Sequence, residues 1–354
     1  MKATNAGKSL IIRKLLKKWS VEHPRPMPWR NIKDPYKIWL SEIILQQTRV
    51  QQGWPYYERF VRRYPTIHDL SDAPIDEVLK QWEGLGYYQR ARNMHAAAKQ
   101  VVLEYNGVFP ATYDQIRSLK GVGDYTAAAI ASFAYDLPHA VVDGNVIRVI
   151  CRIFGIKDMV SSISVRKRIE ARAQEVLDTG TPGEHNQAIM DFGAMQCIPK
   201  HPDCEKCPMI NQCTSFQLGI TQEIPLKKKT KSKRSRYFFY LIFQSGDRIF
   251  IRKRKEKDIW QGLYEFFLVE RPEAVTWKEI QSQLSIPYDI VSDSAEYQQV
   301  LSHQKIFARF ARAKADEDWL VKNGYTGINR KKMRNFAFPK IVDCYLRDKG
   351  LNLI

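Results

Sequence analysis

Apolar residues recur at intervals of three and four along most of the first 218 residues. The first stretch of this kind contains Leu10, Ile11, Leu15, Leu16 and Trp19. Such spacing puts the apolar side chains on one face of a helix. Short segments rich in proline or glycine separate these stretches, as at residues 24–28 and 121–123, and are typical of loops. The pattern predicts an all-α region from residue 9 to about residue 218.

The pattern changes after a strongly basic segment. Residues 227–236 read KKKTKSKRSR, with seven basic residues in ten and no apolar one, which favours a linker. Residues 237–243 are aromatic and β-branched, residues 245–247 (Ser-Gly-Asp) form a turn signal, and residues 249–251 return as a hairpin partner. We therefore predict a helical domain over 1–226, a linker over 227–236 and a small α/β domain over 237–354.

The charge balance indicates a polyanionic partner. Lys and Arg outnumber Asp and Glu by 56 to 38, which gives a net charge of +18, while the apolar share of 44% is enough for a buried core. An excess of this size favours nucleic acid, and a basic enzyme without such a partner is the alternative.

No targeting or membrane signal is present in the sequence. The first ten residues, MKATNAGKSL, lack an apolar core, and no run of about 18 apolar residues occurs. We therefore expect a soluble, cytoplasmic protein that does not bind a membrane and that acts as a monomer.

The segment from Asp114 to Ala134 carries the pattern of two helices joined by a tight hairpin. A short helix is expected to end near Leu119, and a second to start near Tyr125. Between them the glycines at 121 and 123 permit a sharp turn, and the N–H groups at the start of the second helix can hold a phosphate. The hairpin residues Gly121, Val122 and Gly123 are thus candidate DNA contacts, and a plain turn between packed helices is the alternative.

Four of the six cysteines crowd into seventeen residues. Their spacing is C-x6-C-x2-C-x5-C, formed by Cys197, Cys204, Cys207 and Cys213. In a reducing compartment such a cluster indicates metal rather than disulfides. Four thiolates suit either a [4Fe–4S] cluster or a zinc ion, but zinc ribbons usually pair two C-x2-C knuckles and only one is present here.

Two carboxyl groups stand in apolar surroundings. Glu42 lies in the segment IWLSEIIL, where burial would raise its pKa and make it a proton donor near neutrality. The alternative is an exposed or capping glutamate in the first turn of a helix, with Ser41 as the cap. Asp143 lies between two apolar runs in HAVVDGNVIRVI, where Asp-Gly-Asn is equally typical of a turn and helix cap.

Together these motifs resemble a known family. The segments S-E-x-x-L-Q-Q-T around Glu42 and V-D-G-N-V-x-R-V around Asp143 occur in order with the hairpin and the cysteine loop, across residues 20–215. The set is similar to the MutY-type adenine DNA glycosylases of the endonuclease III superfamily. The resemblance implies an all-α helix–hairpin–helix glycosylase domain with an iron–sulfur loop at about 197–213, followed by a Nudix-like α/β domain. It also implies a [4Fe–4S] cofactor and a nucleoid-associated, bacterial-type enzyme.

The resemblance assigns roles in adenine excision. Glu42 would protonate N7 of a flipped-out adenine, and Asp143 would stabilise the oxocarbenium-like sugar, with Asn145 and Tyr125 shaping the site. Tyr125 stands where bifunctional relatives carry the lysine that forms an imine, so a monofunctional enzyme is expected. The residues that match the lining of the adenine pocket are Trp29, Arg30, Leu45, Val50, Gln187 and Met190.

Further matches concern the base opposite the adenine. The residues that match the lesion side of the family are Gln47, Thr48, Leu85, Tyr87, Ser302 and His303. The expected partner is therefore double-stranded DNA with an adenine opposite 8-oxoguanine or guanine. Leu301 replaces the aromatic residue that usually precedes Ser-His, and the upstream histidine is missing at residues 297–299. The C-terminal domain also lacks the glutamate cluster of a catalytic Nudix box.

Three alternatives remain at this point. A non-catalytic DNA-damage binder would not require Glu42, Asp143 and Asn145 together. A bifunctional endonuclease III is opposed by Tyr125 and by the C-terminal extension. A zinc-dependent DNA-binding module is opposed by the cysteine spacing.

Overall fold

The computed structural model describes residues 5–226, 232–284, 289–314 and 316–349. The chain divides into two compact units. The helical unit is drawn from Met1–Asp72 and Ala96–Lys229, and the sheet unit from Ala73–His95 and Thr230–Ile354. In the described ranges, no helix is both long and apolar enough to cross a membrane.

From residue 5 to residue 217 the regular elements are helices joined by loops, which agrees with the all-α region predicted from residue 9 to about residue 218. In chain order they are α1 (Asn5–Glu22), α2 (Pro35–Leu45), α3 (Val50–Arg63), α4 (Ile67–Asp72), α5 (Ile75–Gln81), α6 (Gln89–Glu104), α7 (Tyr113–Ser118), α8 (Asp124–Tyr135), α9 (Gly144–Phe154), α10 (Ile163–Val176), α11 (Pro182–Met195) and α12 (Thr214–Gln217). A short 3-10 helix at Ile210–Gln212 precedes α12.

Two helices of the helical unit are apolar on all sides. Residues 38–44 of α2 and residues 126–133 of α8 are buried throughout, and the two helices pack against each other. A helix without a polar face is stable only when other elements surround it. A second core lies where α1, α9, α10 and α11 meet, around residues such as Leu16, Ile150, Ile169 and Phe192. The active-site candidates therefore sit on buried elements rather than on surface loops.

The C-terminal half folds as a mixed sheet with three helices. The strands are β1 (Arg234–Ser245), β2 (Arg248–Lys253), β3 (Tyr264–Glu265), β4 (Phe267–Arg271), β5 (Asp289–Asp293), β6 (Tyr297–Val300), β7 (Gln304–Lys314) and β8 (Thr326–Asn329). The helices are α13 (Trp277–Gln283), α14 (Glu317–Lys322) and α15 (Lys340–Asp348), with a 3-10 helix at Arg330–Asn335.

The longest strand, β1, organises the sheet. It pairs in parallel with β7 along one edge and antiparallel with β4 and β2 along the other. The pairing of Gln244 with Ile249 and of Ser245 with Arg248 confirms the predicted hairpin between β1 and β2. Gly246 at its turn has a φ of 53°, a conformation that glycine adopts without strain.

The predicted linker over 227–236 is corrected at its end. Residues 227–231 lie outside the described residues, but β1 already begins at Arg234. Arg236 is buried and donates hydrogen bonds to the carboxylates of Glu270 (Nε–Oε1, 2.7 Å) and Asp258 (Nη2–Oδ2, 2.6 Å). The end of the basic segment is thus part of β1, because Arg236 pairs with acidic residues that are distant in the sequence.

The sheet unit also includes residues 73–95, which the sequence did not predict. The hydroxyl of Tyr264 donates to Asp76 Oδ2 at 2.9 Å, and Lys80 Nζ donates to the carbonyl oxygen of Phe336 at 3.0 Å. The backbone N–H of Phe338 donates to Glu83 Oε1 at 2.9 Å. The segment that carries Leu85 and Tyr87 is therefore fixed to the same unit as Ser302 and His303.

Candidate active site

Glu42 lies in the middle of the buried helix α2. The helix starts at Pro35, where Asp34 caps it by accepting hydrogen bonds from the N–H groups of Tyr36 and Lys37. Glu42 is only 7% exposed and accepts a hydrogen bond from the Tyr125 hydroxyl at 2.7 Å. The alternative of a capping or exposed glutamate next to Ser41 is therefore wrong.

The environment of Glu42 favours its protonated form. Burial raises the pKa of Glu42 to about 7. The hydrogen bond from Tyr125 opposes this effect, because it stabilises the carboxylate, and the negative charge of Asp143 adds to it. A carboxyl group that holds its proton near neutral pH is suited to general acid catalysis.

Asp143 caps α9 and also faces the same region as Glu42. Its Oδ1 accepts a hydrogen bond from the N–H of Val146 at 2.7 Å, and its Oδ2 accepts one from Asn145 Nδ2 at 2.8 Å. Burial raises the pKa of Asp143, while these hydrogen bonds oppose the rise. The cap that the sequence suggested is present, and it fixes the direction of the carboxylate.

Two cavities of the helical unit share Glu42, Tyr125 and Asp143. One has a volume of about 1010 Å³ and runs towards the hairpin, and the other has a volume of about 610 Å³. All the residues predicted to line an adenine pocket lie on the second cavity: Trp29, Arg30, Leu45, Val50, Gln187 and Met190. Asn145, Thr48, Arg25 and Asp191 also line it. A cavity with apolar walls and a few convergent polar groups is typical of a ligand site.

Sequence reasoning missed the support of Asn145. Arg148 Nη2 donates to Asn145 Oδ1 at 2.9 Å and to the carbonyl oxygen of Gly193 at 2.5 Å, and its Nε donates to the carbonyl oxygen of Cys197 at 2.7 Å. A Cβ atom at Gly193 would lie 2.7 Å from the Cβ of Asn145, so only glycine allows α11 to approach this closely. The available signal for this support was Arg148, a charged residue among the apolar residues of α9.

The cysteine loop follows α11 and packs against α9. Arg152 is fully buried and donates to Cys197 Sγ at 3.3 Å and to the carbonyl oxygens of Ile198 and Pro199 at 2.7 and 3.0 Å. Burial is the main cause of the raised pKa of Cys207, and the neighbouring thiols of Cys197, Cys204 and Cys213 add to the rise.

The donor set fits a cluster better than a single ion. Among the described residues, no group of three or more His, Cys, Asp or Glu is placed to hold a metal ion. An iron–sulfur cluster takes one thiolate on each of several iron atoms, so its ligands surround a larger object than one ion. Four half-buried thiols on one loop match that requirement.

The helix–hairpin–helix has the geometry predicted from its sequence. Helix α7 ends at Ser118 and α8 begins at Asp124, with Gly123 as its N-cap residue. Gly121 has a φ of 79°, and a Cβ atom at Gly123 would meet no protein atom within 4 Å. The N–H groups at the start of α8 therefore face open space, where a phosphate can approach. Val122 is buried and anchors the hairpin.

The lesion-side candidates occupy strained or exposed turns. Gln47 and Tyr87 both hold left-handed backbone conformations, with φ of 56° and 49°. Such conformations are rare for residues other than glycine and cluster at functional sites. Tyr87 is 47% exposed, whereas Leu85 is only 6% exposed.

A third cavity lies within the sheet unit. It has a volume of about 780 Å³, and its lining includes Leu85, Tyr87, Ser302 and His303. The hydroxyls of Tyr87 and Ser302 are hydrogen bonded to each other. Predicted residues that lie more than 200 positions apart in the sequence thus meet at one cavity.

Comparisons with known proteins agree with this architecture. The family of HhH-GPD superfamily base excision DNA repair proteins matches residues 40–175, and a NUDIX domain matches residues 238–348. The adenine DNA glycosylase of Buchnera aphidicola subsp. Baizongia pistaciae (strain Bp) is 36% identical over 291 residues, which cover 80% of each chain. A thermostable thymine-DNA glycosylase of known structure is 31% identical, with a TM-score of 0.55 over 60% of this chain and 97% of that chain. A trapped endonuclease III–DNA covalent intermediate has a TM-score of 0.52 at 23% identity, over 60% of this chain and 98% of that chain, and supports the fold alone.

A helix–hairpin–helix next to a buried acid, followed by a Nudix-like sheet, defines a base-excision DNA repair glycosylase. Within that class, one relative matches across both units and over four fifths of its length. The chain belongs to the adenine DNA glycosylase family.

Proposed function

We propose that this chain is a monofunctional adenine DNA glycosylase, which hydrolyses the N-glycosidic bond of an adenine flipped out of duplex DNA. The observation that carries this proposal is the buried Glu42, hydrogen bonded to Tyr125, on the same cavity as Asp143. Adenine is a poor leaving group until a ring nitrogen is protonated, and the sugar becomes positively charged as the bond breaks. One protonated and one ionised carboxyl group meet these two requirements.

In the proposed mechanism Glu42 donates its proton to N7 of the adenine. The hydroxyl of Tyr125 holds the Glu42 carboxyl in position and stabilises the carboxylate that remains. Asp143, held by Val146 and Asn145, faces the sugar and stabilises its developing positive charge. The N-glycosidic bond breaks, and the adenine leaves with the bonding electron pair as a neutral base. Water then attacks the cationic sugar carbon and gives its proton to the Glu42 carboxylate, which leaves an abasic site.

The contacts of Tyr125 support a monofunctional enzyme. A phenol cannot form an imine with the sugar aldehyde, and this phenol is already hydrogen bonded to Glu42. Lys120 lies on the exposed hairpin, five residues before Tyr125. The abasic strand should therefore stay intact after the base leaves.

Excision assays on defined mispairs test the proposal. Duplexes with adenine opposite 8-oxoguanine, guanine, cytosine or thymine are incubated with the protein, and free adenine is measured. We expect release opposite 8-oxoguanine and guanine, with strand scission only after alkali. Binding without base release would support a damage-binding protein instead. Strand cleavage without alkali, with efficient trapping by borohydride, would support a bifunctional lyase.

A pH–rate profile tests the role of the Glu42–Tyr125 hydrogen bond. The excision rate should fall above about pH 7, because the acid must be protonated and burial raises the pKa of Glu42 to about 7. In Tyr125→Phe the lost hydrogen bond no longer lowers this pKa, so the alkaline limb should move to higher pH. The measurement is the single-turnover rate constant from about pH 5 to about pH 9, a window centred on the raised pKa of Glu42, about 7. A limb that stays in place, or moves to lower pH, contradicts the assignment.

We further propose that Cys197, Cys204, Cys207 and Cys213 bind a [4Fe–4S] cluster. When bound, the cluster cross-links the loop after α11 and keeps its thiols ionised. Arg152 and Arg148 then hold the loop against α9 through their contacts with Cys197. The loop also carries basic residues, which fits contact with the phosphate backbone.

Replacing one proposed ligand should destabilise this loop. Cys204→Ser should lose visible absorbance, iron content and DNA affinity together, whereas Cys344→Ser in α15 should lose none of them. The measurements are iron and sulfide analysis, an absorbance spectrum and a duplex-binding titration. A colourless wild-type protein with stoichiometric zinc would overturn the cluster assignment.

The cavity of the sheet unit is the proposed reader of the opposing base. Ser302 and His303 offer a hydroxyl and an imidazole, and Tyr87 offers an exposed ring. These groups can hydrogen bond and stack with 8-oxoguanine or guanine, and the buried Leu85 lines the same cavity. In the helical unit, Gln47 and Thr48 are the proposed residues that fill the gap left by the flipped adenine. The proposed partner is thus duplex DNA bearing one of these mispairs, bound by a monomer at the chromosome.

Ser302→Ala with His303→Ala should weaken the preference for 8-oxoguanine over guanine. One or two lost hydrogen bonds at about 1–1.5 kcal/mol each correspond to a loss of roughly 5- to 100-fold in preference. The comparison is excision opposite 8-oxoguanine and guanine at limiting enzyme. At saturating enzyme the rate should be unchanged, because the acid and the carboxylate lie in the helical unit. If the preference survives, the opposing base is read elsewhere.

A further inference from the structure

A triad of charged residues, a buried carboxylate between two partly exposed arginines, lies on the wall of the cavity that Glu42 lines. Asp191 of α11 is 4% exposed, and its two oxygens are taken by two different arginines. Arg30 Nη2 donates to Oδ2 at 2.5 Å, and Arg25 Nη1 donates to Oδ1 at 3.1 Å. Both arginines belong to the loop between α1 and α2. All three residues line the 610 Å³ cavity, so the triad is part of the site rather than a surface ion pair.

The charges on this cavity nearly balance. Its cationic side chains are Arg25, Arg30 and the exposed Arg49, and its anionic ones are Asp143 and Asp191. Glu42 is the proton donor and is neutral before the reaction. Without the Asp191 carboxylate, the guanidinium groups of Arg25 and Arg30 would lose their shared partner on a wall that solvent reaches only in part. Charges act over longer distances there than in water.

The proposed reaction makes this balance important. Adenine enters the cavity neutral and becomes a cation when it receives a proton. A wall with net positive charge would oppose that protonation, and it would also favour release of the Glu42 proton to solvent before the base arrives. A carboxylate that offsets one of the two arginine charges allows the wall to keep hydrogen-bond donors for the ring nitrogens at a smaller penalty.

We infer that Asp191 is a positioning residue for excision: it fixes Arg25 and Arg30 on the cavity wall and offsets one of their two positive charges, so that a protonated base is tolerated. The inference rests on the proposed function. The competing explanation is purely structural: Asp191 acts as a staple, which here means that its ion pairs only hold the loop between α1 and α2 against α11.

Charge compensation and stapling predict opposite results in a double variant. Asp191→Asn removes the charge at constant size and should slow single-turnover excision at saturating enzyme by about 10-fold or more, the effect expected of one unit charge near the reacting groups. Arg25→Gln alone should raise this rate a few-fold, because it removes a cation and leaves the pair of Asp191 with Arg30. The double variant with both changes should recover most of the rate that Asp191→Asn loses. A staple predicts that the double variant is as slow as Asp191→Asn or slower.

Two further measurements separate chemistry from folding and binding. Affinity for a duplex with an uncleavable 2′-fluorinated adenine nucleotide should change less than the rate constant, and the unfolding midpoint of each variant reports stability. Glu184→Gln, which changes an exposed carboxylate in the first turn of the same helix, serves as the matched control. It should behave as the wild type.

The inference is overturned if the wild type excises adenine and Asp191→Asn does so at a similar rate. It is also overturned if the double variant shows no recovery at equal stability. If Asp191→Asn does not fold, Arg25→Gln alone still tests charge compensation. The inference expects a raised excision rate in that variant, and a decreased rate contradicts it. A wild type that binds the duplex but releases no adenine refutes the proposed function itself, and with it this inference.

Discussion

Glu42→Gln should bind the mispaired duplex and release adenine at least about 10² to 10⁴ times more slowly than the wild type. Glutamine has the size of glutamate and retains an oxygen that can accept the hydrogen bond from the Tyr125 hydroxyl. It has no acidic proton to give to the base. The buried site should therefore keep its structure and lose only the ability to protonate the base.

The fold of this variant should be at least as stable as that of the wild type. Glu42 is buried, and burial raises its pKa, so the ionised form is disfavoured in the folded protein. A neutral amide avoids this effect. The cost of burying this carboxyl grows as the pH rises from its ordinary pKa of 4.5 to about 7 and is constant above, so from pH 7 upwards Glu42→Gln should have an equal or higher unfolding midpoint.

Two measurements test whether Glu42 is the proton donor: the single-turnover rate of excision and the affinity for the duplex. Glu22→Gln on the exposed face of α1 is a control for the loss of one carboxylate from the surface. If Glu42→Gln keeps a rate within about threefold of the wild type, far above the loss expected for a general acid, another group supplies the proton. If affinity falls together with the rate, Glu42 has a binding role instead.

The parts of this fold that local sequence determines could be predicted well. The borders of α7 and α8 follow from a glycine hairpin between two periodic segments, and the hairpin of β1 and β2 follows from Ser-Gly-Asp between two apolar runs. In both cases neighbouring residues carry the physical cause, which is a turn conformation together with the start of a new element.

The burial of Glu42 could be predicted only in part. Apolar residues lie on every side of α2, so its periodicity does not distinguish a buried face from an exposed one. It therefore cannot show whether the Glu42 carboxyl points into the core or towards solvent. A stronger signal was available seven residues earlier. Asp34 followed by Pro35 is a typical helix start, and it places Glu42 in the third turn, away from any cap.

Long-range contacts account for what the sequence did not predict. Residues 73–95 join the sheet unit through contacts with residues more than 150 positions away, and Asp191 meets Arg25 and Arg30 across about 160 positions. No local pattern encodes such pairs. Aspartate is an ordinary surface residue unless the fold buries it, so the sequence alone does not show that Asp191 lies buried between two arginines.

Asp143→Asn should abolish most excision and leave stability unchanged, which separates the two roles of this residue. Asparagine caps helices as well as aspartate does, so it can still accept the hydrogen bond from the N–H of Val146 that starts α9. It cannot supply the negative charge that stabilises a cationic sugar. Loss of such electrostatic stabilisation typically slows a reaction by about 10²- to 10³-fold.

The companion variant Asp143→Ala removes both the cap and the charge. It should lose about 1 kcal/mol of stability, the typical value for an N-cap, and lose excision to a similar extent as Asp143→Asn. Denaturant unfolding of both variants measures the first effect, and single-turnover excision measures the second. If the alanine variant is inactive but the asparagine variant is active, Asp143 acts only as a helix cap.

The pH dependence of the residual activity of Asp143→Asn tests whether Glu42 is the titrating group. The charge of Asp143 contributes to the raised pKa of Glu42, and its removal should lower that pKa. The alkaline limb of the pH–rate profile should therefore move to lower pH in Asp143→Asn, opposite to its shift in Tyr125→Phe. Shifts of opposite sign from two residues that contact the same cavity would show that Glu42 is the group that titrates. If both variants shift the limb in the same direction, the titrating group is not the carboxyl that lies between them.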